Sequence, residues 1–362
     1  MDDAIYDPNC GTPRLFYLDG WSITNHAAAV FSGTLDLPAV NSARFENLTG
    51  ASFDVQTDKN LSGAATFNNQ GNFYKSSGTN QTTVGWTFNN LGTIEVRSGT
   101  LRFQGAVPQV AGSALTSGTW IVKSNAVFDL ATASLLTTNQ ATVVLDGVQS
   151  QFSQLSALAV NEGEFRLQSG KAFTTSTDLL NSGIIHLDGL SSLTVNGTFQ
   201  QTTQATLSLT LPPLTMGATN PPLLVVSNAA ILNGTLEVVI PPGVTVLAGQ
   251  IISLISFASN SGQFTNLIVQ AGAGITGDIV YSSTNASFRV LTATEPLHIT
   301  GASVSNTNLF VTWSGGTPPY VLQMRTNLIQ GNWLPIVGPT LATNALAPMD
   351  QPAGFMRVVG GQ

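Results

Sequence analysis

Charge is scarce in this chain: only 9% of its 362 residues are Asp, Glu, Lys or Arg, and 12 basic against 19 acidic residues leave a net charge of −7. The basic residues stand singly along the sequence, so no cationic surface can track a phosphate backbone, and nucleic acid is excluded as a partner. One cysteine, Cys10, rules out a disulfide framework and a cysteine-built zinc site within the chain. The three histidines, His26, His186 and His298, lie too far apart in sequence for a local metal site, and neither H-E-x-x-H nor G-x-S-x-G accompanies them. No window of about 18 continuous apolar residues occurs, so no membrane-spanning helix is expected. Nor does the first segment, MDDAIYDPNC, show a basic stretch followed by an apolar one.

What fills the chain instead is neutral and polar: 43 Thr, 32 Ser, 27 Asn and 20 Gln, beside 35 Gly and 17 Pro. With 43% apolar residues there is enough for real cores, and with so little Lys, Glu and Arg the composition favours an all-β fold. From Asp188 to Glu237, and again from Glu237 to Asp278, no ionisable side chain of the Asp, Glu, Lys, Arg or His type intervenes. Thr, Ser and Asn can keep such a surface wet without ion pairs. This composition resembles that of exported bacterial repeat proteins, which implies an extracellular or cell-surface location, and the missing export signal would then imply a fragment, a processed form or an incomplete gene model. Six N-x-S/T triplets, at Asn47, Asn60, Asn80, Asn196, Asn233 and Asn285, are what chance supplies in a chain this rich in Asn, Ser and Thr.

Self-similarity is the main signal. FNNQGNFYKSSG from Phe67 returns as FNNLGTIEVRSG from Phe88. Using the small residue after the Asn-x pair as a marker yields Gly50, Gly71, Gly92, Gly118, Ala141, Gly163 and Gly183. Asn precedes the marker at Asn69, Asn90, Asn139, Asn161 and Asn181; the fourth unit has Thr116 there, and in the first Asn47 is displaced by one residue. After the marker, apolar residues alternate with a spacing of two, as in Ile94 and Val96, Trp120 and Val122, or Phe165 and Leu167, which is the period of a half-buried strand. Lys75 breaks the alternation. A turn pair such as Ser98-Gly99 or Asp146-Gly147 follows, then a second short strand carrying Leu101 and Phe103, Phe128 and Leu130, or Leu193 and Val195.

One such unit cannot close a core alone, and stacking supplies the missing neighbours. The prediction is a right-handed parallel β-helix, a β-solenoid, of about 20–23 residues per coil over residues 41–205, with 1–40 forming an N-terminal cap or first coils. Ile94, Val143, Phe165 and Ile185 should then line up along one axis. The recurring Asn should lie at a corner as a partial ladder, bonding backbone and tolerating a left-handed conformation. A propeller blade needs about 40 residues per repeat, and a sandwich has no reason to repeat F-N-N-x-G.

From Thr206 the strands lengthen and Pro-Pro pairs separate them, so 206–294 reads as a β-rich closing segment that covers the apolar end of the stack. Residues 295–362, with SNTNLFVTWSGG, PYVLQMRTN and AGFMRVVG, read as a small β-sandwich resembling a fibronectin type III domain in its pattern.

The units from FNNQGNFYKSSG through SGTLRFQG, with LNGTLEVVIPPGVTVLAGQIISLISF, resemble the repeat region and closing segment of large exported bacterial proteins of the autotransporter and filamentous-haemagglutinin type. TWSGGTPPYVLQMRTNL through FMRVVG is similar to a C-terminal module that ends many of them. The resemblance implies an adhesin, surface fibre or, in a minority, an enzyme; the transmembrane barrel of a true autotransporter is not in this sequence.

Chemistry is harder to find. Carboxylates after the marker, Glu95, Asp146, Glu164 and Asp188, interleave with Lys123 and Arg166 and form no column of like charge. The L-D-G triplets at Asp19, Asp146 and Asp188 match ordinary turn chemistry. Trp86, Trp120 and Tyr74 could form a sugar-stacking platform; Trp120 sits at an inward position, while Trp86 and Tyr74 read as more open. His186 falls on the outward phase of its strand. Thr pairs at Thr82-Thr83, Thr174-Thr175 and Thr202-Thr203 are too irregular for a flat ice-binding array. We therefore expect no catalytic, metal or cofactor-binding residues, no cofactor, and a non-enzymatic structural or adhesive protein. Its partners would be itself, by end-to-end or lateral assembly, or surface glycans. The alternative is a carbohydrate-active or glycan-binding β-helix protein, which a groove lined by paired carboxylates and stacked aromatics would favour.

Overall fold

A computed structural model describes residues 18–214, 221–272, 274–293, 297–316, 318–327, 330–349 and 354–360. Strands dominate, parallel sheets wind into a β-solenoid of about nine turns, and no α-helix occurs among the described residues. Contacts divide the chain into two compact units. One holds the described residues up to Val244 with Ile252–Gln270 and Ile279–Phe288; the other holds Thr245–Ile251, Ala271–Asp278 and the described residues from Arg289 onward.

In the first unit three sheets form the walls of the coil. The second of them is the most regular, with eleven strands from Ala28–Phe31 through Thr93–Val96 and Thr142–Asp146 to Asn266–Gln270, each parallel to the next. Its register places Phe53, Phe73, Ile94, Trp120, Val143, Phe165, Ile185, Leu207 and Leu236 directly over one another, all essentially inaccessible to solvent. The predicted axis is therefore present. It also continues past the visible repeat, because the strands Thr206–Thr210, Thr235–Val239 and Asn266–Gln270 keep the alternation while the chain between them lengthens.

The marker residues have two physical reasons. Gly118 has φ 83° and needs the left-handed region. Gly92 and Gly183 do not, but a Cβ on either would meet the carbonyl oxygen of the marker one coil earlier at 2.2 Å and 2.1 Å. In the first unit Ala51 occupies this stacked position, since Asn72 N–H donates to its carbonyl as Thr93 N–H does to that of Gly71. Gly50, taken as the marker from sequence, sits in the preceding turn with φ 84°. That inserted turn explains the displaced Asn47.

The Asn residues form two buried amide ladders. Asn25 Nδ2 donates to Asn47 Oδ1 at 2.8 Å, Asn47 to Asn69 at 2.7 Å, and Asn69 to Asn90 at 2.8 Å. After an interruption, Asn139 donates to Asn161 at 2.8 Å, Asn161 to Asn181 at 2.9 Å, and Asn181 to Gln201 Oε1 at 3.3 Å. Each amide nitrogen also donates to a backbone carbonyl one coil on, such as Asn47 to Asn72 at 2.9 Å and Asn161 to Ile184 at 3.0 Å. This second bond identifies which end of each amide is nitrogen. The left-handed expectation is not met: none of the ladder residues has positive φ, and the non-glycine residues that do include Asn41, Asn125 and Ser169. The ladder residues close strands such as Leu61–Asn69 and Leu179–Asn181, where an extended backbone turns the amide inward. The gap falls where Thr116 replaces Asn; there Gln109 reaches in, accepting Asn90 N–H at 2.9 Å and donating to Asn89 Oδ1 at 2.6 Å.

Lys75, the residue that broke the alternation, points inward and is fully buried. Its ammonium donates to the carbonyls of Thr57 and Ser77 and to Asp58 Oδ1, at 3.1, 2.8 and 3.1 Å, so three acceptors replace its hydration.

In the second unit, two three-stranded antiparallel sheets face one core. Val311, Trp313, Ala345 and Ala347 come from the sheet of His298–Ser305, Asn308–Ser314 and Asn344–Pro348; Tyr320 and Leu322 come from that of Leu334–Thr340, Tyr320–Arg325 and Phe355–Gly360. This is a small β-sandwich.

Candidate functional site

Outward side chains of the eleven-stranded sheet follow the same register as the core, so each forms a column. Thr93, Thr119 and Thr142 align in one. Beside it charges alternate: Arg97 lies over the Tyr74 ring at 4.0 Å and pairs with Glu95 at 2.8 Å, while Lys123 bridges Glu95 at 3.7 Å and Asp146 at 2.7 Å. Further along, Glu164 pairs with Arg166 at 2.6 Å and with His186 at 3.1 Å. Burial pulls the Asp146 carboxyl upward, but hydrogen bonds from Lys123 and Ser169 and the Lys123 charge outweigh it and hold the group below the usual carboxylate range. His186 is half-buried rather than freely solvated, and its pKa is lowered first by that burial and then by Arg166. Carboxylates and cations thus neutralise one another along the face.

The aromatic candidates do not make a platform. Trp86 is buried like Trp120, contrary to the expectation that it is open; its ring nitrogen donates to the Ser62 carbonyl at 2.8 Å, and that of Trp120 to Ser117 at 2.9 Å. Gly85 and Trp86 lie at a bend between the strands Gln81–Val84 and Thr87–Asn90, where strand alternation does not apply. Tyr74 is covered by Arg97. The three L-D-G aspartates stand apart: Asp19 accepts from Asn41, Asp146 belongs to the ion-pair row, and Asp188 accepts from Ser169 N–H, Leu190 N–H and the Ser191 hydroxyl. No group of three or more His, Cys, Asp or Glu close enough to hold a metal occurs among the described residues. His298 contacts the Ser314 hydroxyl at 3.1 Å, and His26 is exposed in a turn.

A groove that sequence reasoning missed lies on the third sheet. There the coil bends between Ala172–Thr175 and Leu179–Asn181, and one coil later between Ser192–Val195 and Phe199–Gln201. The bend borders an open cleft of about 630 Å³, lined by Ala159, Ser176–Leu180, Asn196, Thr198 and Gln200. Asp178 Oδ1 accepts Thr198 N–H at 2.7 Å, and Ser227 donates to Asn196 Oδ1 at 3.5 Å, so successive coils are tied across it. Asp178 is the one ionisable residue in this lining. The available signal was the matched spacing of Thr177-Asp178 and Gly197-Thr198, one coil apart.

No helix of the described residues is long and apolar enough to cross a membrane. No family model, no curated protein and no solved structure matches the chain.

Proposed function

We propose that this is a non-enzymatic structural or adhesive protein of the extracellular space or cell surface, which works by presenting the outer faces of its solenoid. The observation that carries this reading is the unbroken parallel sheet from Ala28 to Gln270, whose outward columns include the threonines Thr93, Thr119 and Thr142 and a row of paired charges from Glu95 through Lys123 to Asp146. Repetition of small polar contacts along one direction gives avidity without a strong single site. The groove on the third sheet carries one carboxylate, Asp178, where general acid–base cleavage of a glycosidic bond calls for a pair. Kinship with exported proteins of the autotransporter and filamentous-haemagglutinin type, and a role for the C-terminal sandwich as an attachment module, belong to the same proposal. So does assembly into fibres: Ala28–Phe31 begins the long sheet and Asn266–Gln270 ends it, and sheet edges favour pairing with another chain.

Microspheres coated with the purified chain test the reading. They should be retained on glycan-bearing surfaces or on one another, while a polysaccharide panel incubated with the same protein yields no new reducing ends. Negative-stain images across a concentration range should show lengthening particles. Reproducible polysaccharide hydrolysis, abolished by Asp178→Asn, would overturn the proposal.

A further inference from the structure

We infer that the bend of the third sheet is a binding groove for a linear, uncharged polysaccharide lying along the solenoid axis. The inference rests on the adhesive reading and names the ligand class of that function.

Three observations point to it. The bend is repeated rather than local: Leu224–Leu232 crosses it in one strand with a register shift between Val226 and Ala229, and Ile251–Gly262 pairs along that strand on both sides of the shift. Its lining runs over three successive coils, from Ala159 through Ser176–Leu180 to Asn196, Thr198 and Gln200, and outward columns continue beside it: Leu180 and Gln200 lead on to Ile231 and Ser261, while Thr174, Thr194, Val225 and Ser256 align on the strand segments before the bend. Each column advances one side chain per coil, about 4.8 Å apart, a repeat on the scale of one sugar ring. A ligand that exploits such walls is itself periodic and extended along the axis.

The lining also decides the chemistry. Ser176, Thr177, Asn196 and Gln200 are exposed, and they offer hydroxyls and amides that both donate and accept, as sugar hydroxyls require. Leu180 and Ala159, with Ile231 beyond them, supply narrow apolar strips for the C–H faces of the rings. No lysine or arginine lines the groove, so nothing there would neutralise a uronate or sulfate chain, and Asp178 would repel one. An extended peptide would need an open strand edge to join by β-addition. Here the strands on both sides of the bend are already paired. The cleft, about 630 Å³ and open to solvent along its length, has room for a short run of sugars lying in it rather than buried.

The test uses the whole chain against an array of neutral oligomers from dimer to hexamer, of the cello-, chito-, manno- and xylo- series. Polygalacturonate, heparin, chitosan and an extended polythreonine peptide serve as the charged and peptide arms. At least one neutral series should bind, with the hexamer at least tenfold tighter than the dimer. Gln200→Arg and Leu180→Arg, checked for intact fold by circular dichroism, should each weaken the hexamer at least tenfold, whereas Gln104→Arg, at an exposed position outside the groove, should not. Absence of binding by every neutral series, equal affinity of dimer and hexamer, a preference for a charged or peptide arm, or unchanged affinity in both groove variants would each overturn the inference. Microsphere retention separates the two levels. If coated spheres adhere while the array stays blank, the groove assignment falls and the adhesive reading stands; if the spheres fail to adhere, the adhesive reading falls with it.

Discussion

The early and late coils of the solenoid share one sheet and one register, yet they are filled differently. Between Phe45 and Phe152 the interior is largely a chain of rings: Phe67 stacks on Phe45 and on Phe88 at 4.8 Å and meets Phe53 and Phe73 edge-on, and Phe103 links Phe88 to Phe128. Beyond Leu187 the same columns hold Leu207, Leu209, Leu236 and Val238. The amide ladders stop at Gln201, whose Nε2 bonds the carbonyls of Asn233 and Thr235. Early coils are thus held by rings, amides and closely stacked small residues that each touch their own copy in the next coil. Late coils are filled mainly by aliphatic side chains, with close backbone stacking kept at Gly234 and Gly262. Sequence repetition is visible where a side chain must contact an equivalent of itself, and it fades where any apolar residue will serve.

The comparison breaks most sharply at the rings. Phe67→Ala removes four ring contacts and should cost about 4 kcal/mol, against about 3 kcal/mol for Leu207→Ala in the aliphatic half. Urea unfolding of both variants reads this, and an equal or larger loss for Leu207 would show that the rings add nothing beyond bulk. Next come the amides. Asn69→Leu strands the Asn90 oxygen and the Thr93 carbonyl in a dry interior and should cost about 2 kcal/mol. Hydrogen exchange should then quicken in the coils on either side, and unchanged protection there would mean the ladder is not shared between coils.

Lys75→Met sharpens the comparison by giving an early coil the apolar column of a late one. The Thr57 carbonyl keeps its bond from the Thr82 hydroxyl, so stability at neutral pH should change by no more than about 1 kcal/mol. Its signature lies in acid. Burial raises the Asp58 carboxyl, but hydrogen bonds from Lys75 and from Asn80 overcome this and leave it below the ordinary range. The folded state therefore releases that proton more readily than the unfolded chain, so the associated stability is present above the usual carboxylate range and disappears as pH falls through the lowered value. The variant should lose less stability over this window; an identical acid profile would remove Lys75 from the account.

The smallest effect belongs to His186. Its lowered pKa means that the unfolded chain takes up a proton before the folded one, so stability should decline as pH drops below about 6.5 and level off once the folded state also protonates. His186→Gln should flatten that slope in thermal scans between pH 7 and pH 5. The same slope in both proteins would assign it to other groups.

Much of this architecture is legible in the amino acids. The inward column from Ile94 to Ile185 follows from strict alternation, and the Asn ladder follows from the fixed offset between Asn and the marker. The remainder is decided by position in the fold, not by residue type. Trp86 lies at a bend between two strands, so strand phase does not assign its side. Lys75 is inward because its strand has no freedom to rotate once Phe73 is anchored, and its acceptors come from backbone that only the fold assembles. Glu164 and His186 are neighbours through register across a whole coil. The groove depends on where a strand bends, and Ser176, Asp178 and Asn196 carry no local mark of that bend.

All the amides in each ladder hand their hydrogen in one direction, from Asn25 toward Asn90 and from Asn139 toward Gln201. Aligned dipoles of this kind reinforce one another, and they make the first and last members unlike: one end offers an oxygen, the other a nitrogen. A segment can be spliced into the series without leaving a stranded group only if it arrives as a complete turn in the same orientation. The gene for such a protein can therefore change length by whole-turn duplication or deletion, and any other indel within a ladder falls against its polarity.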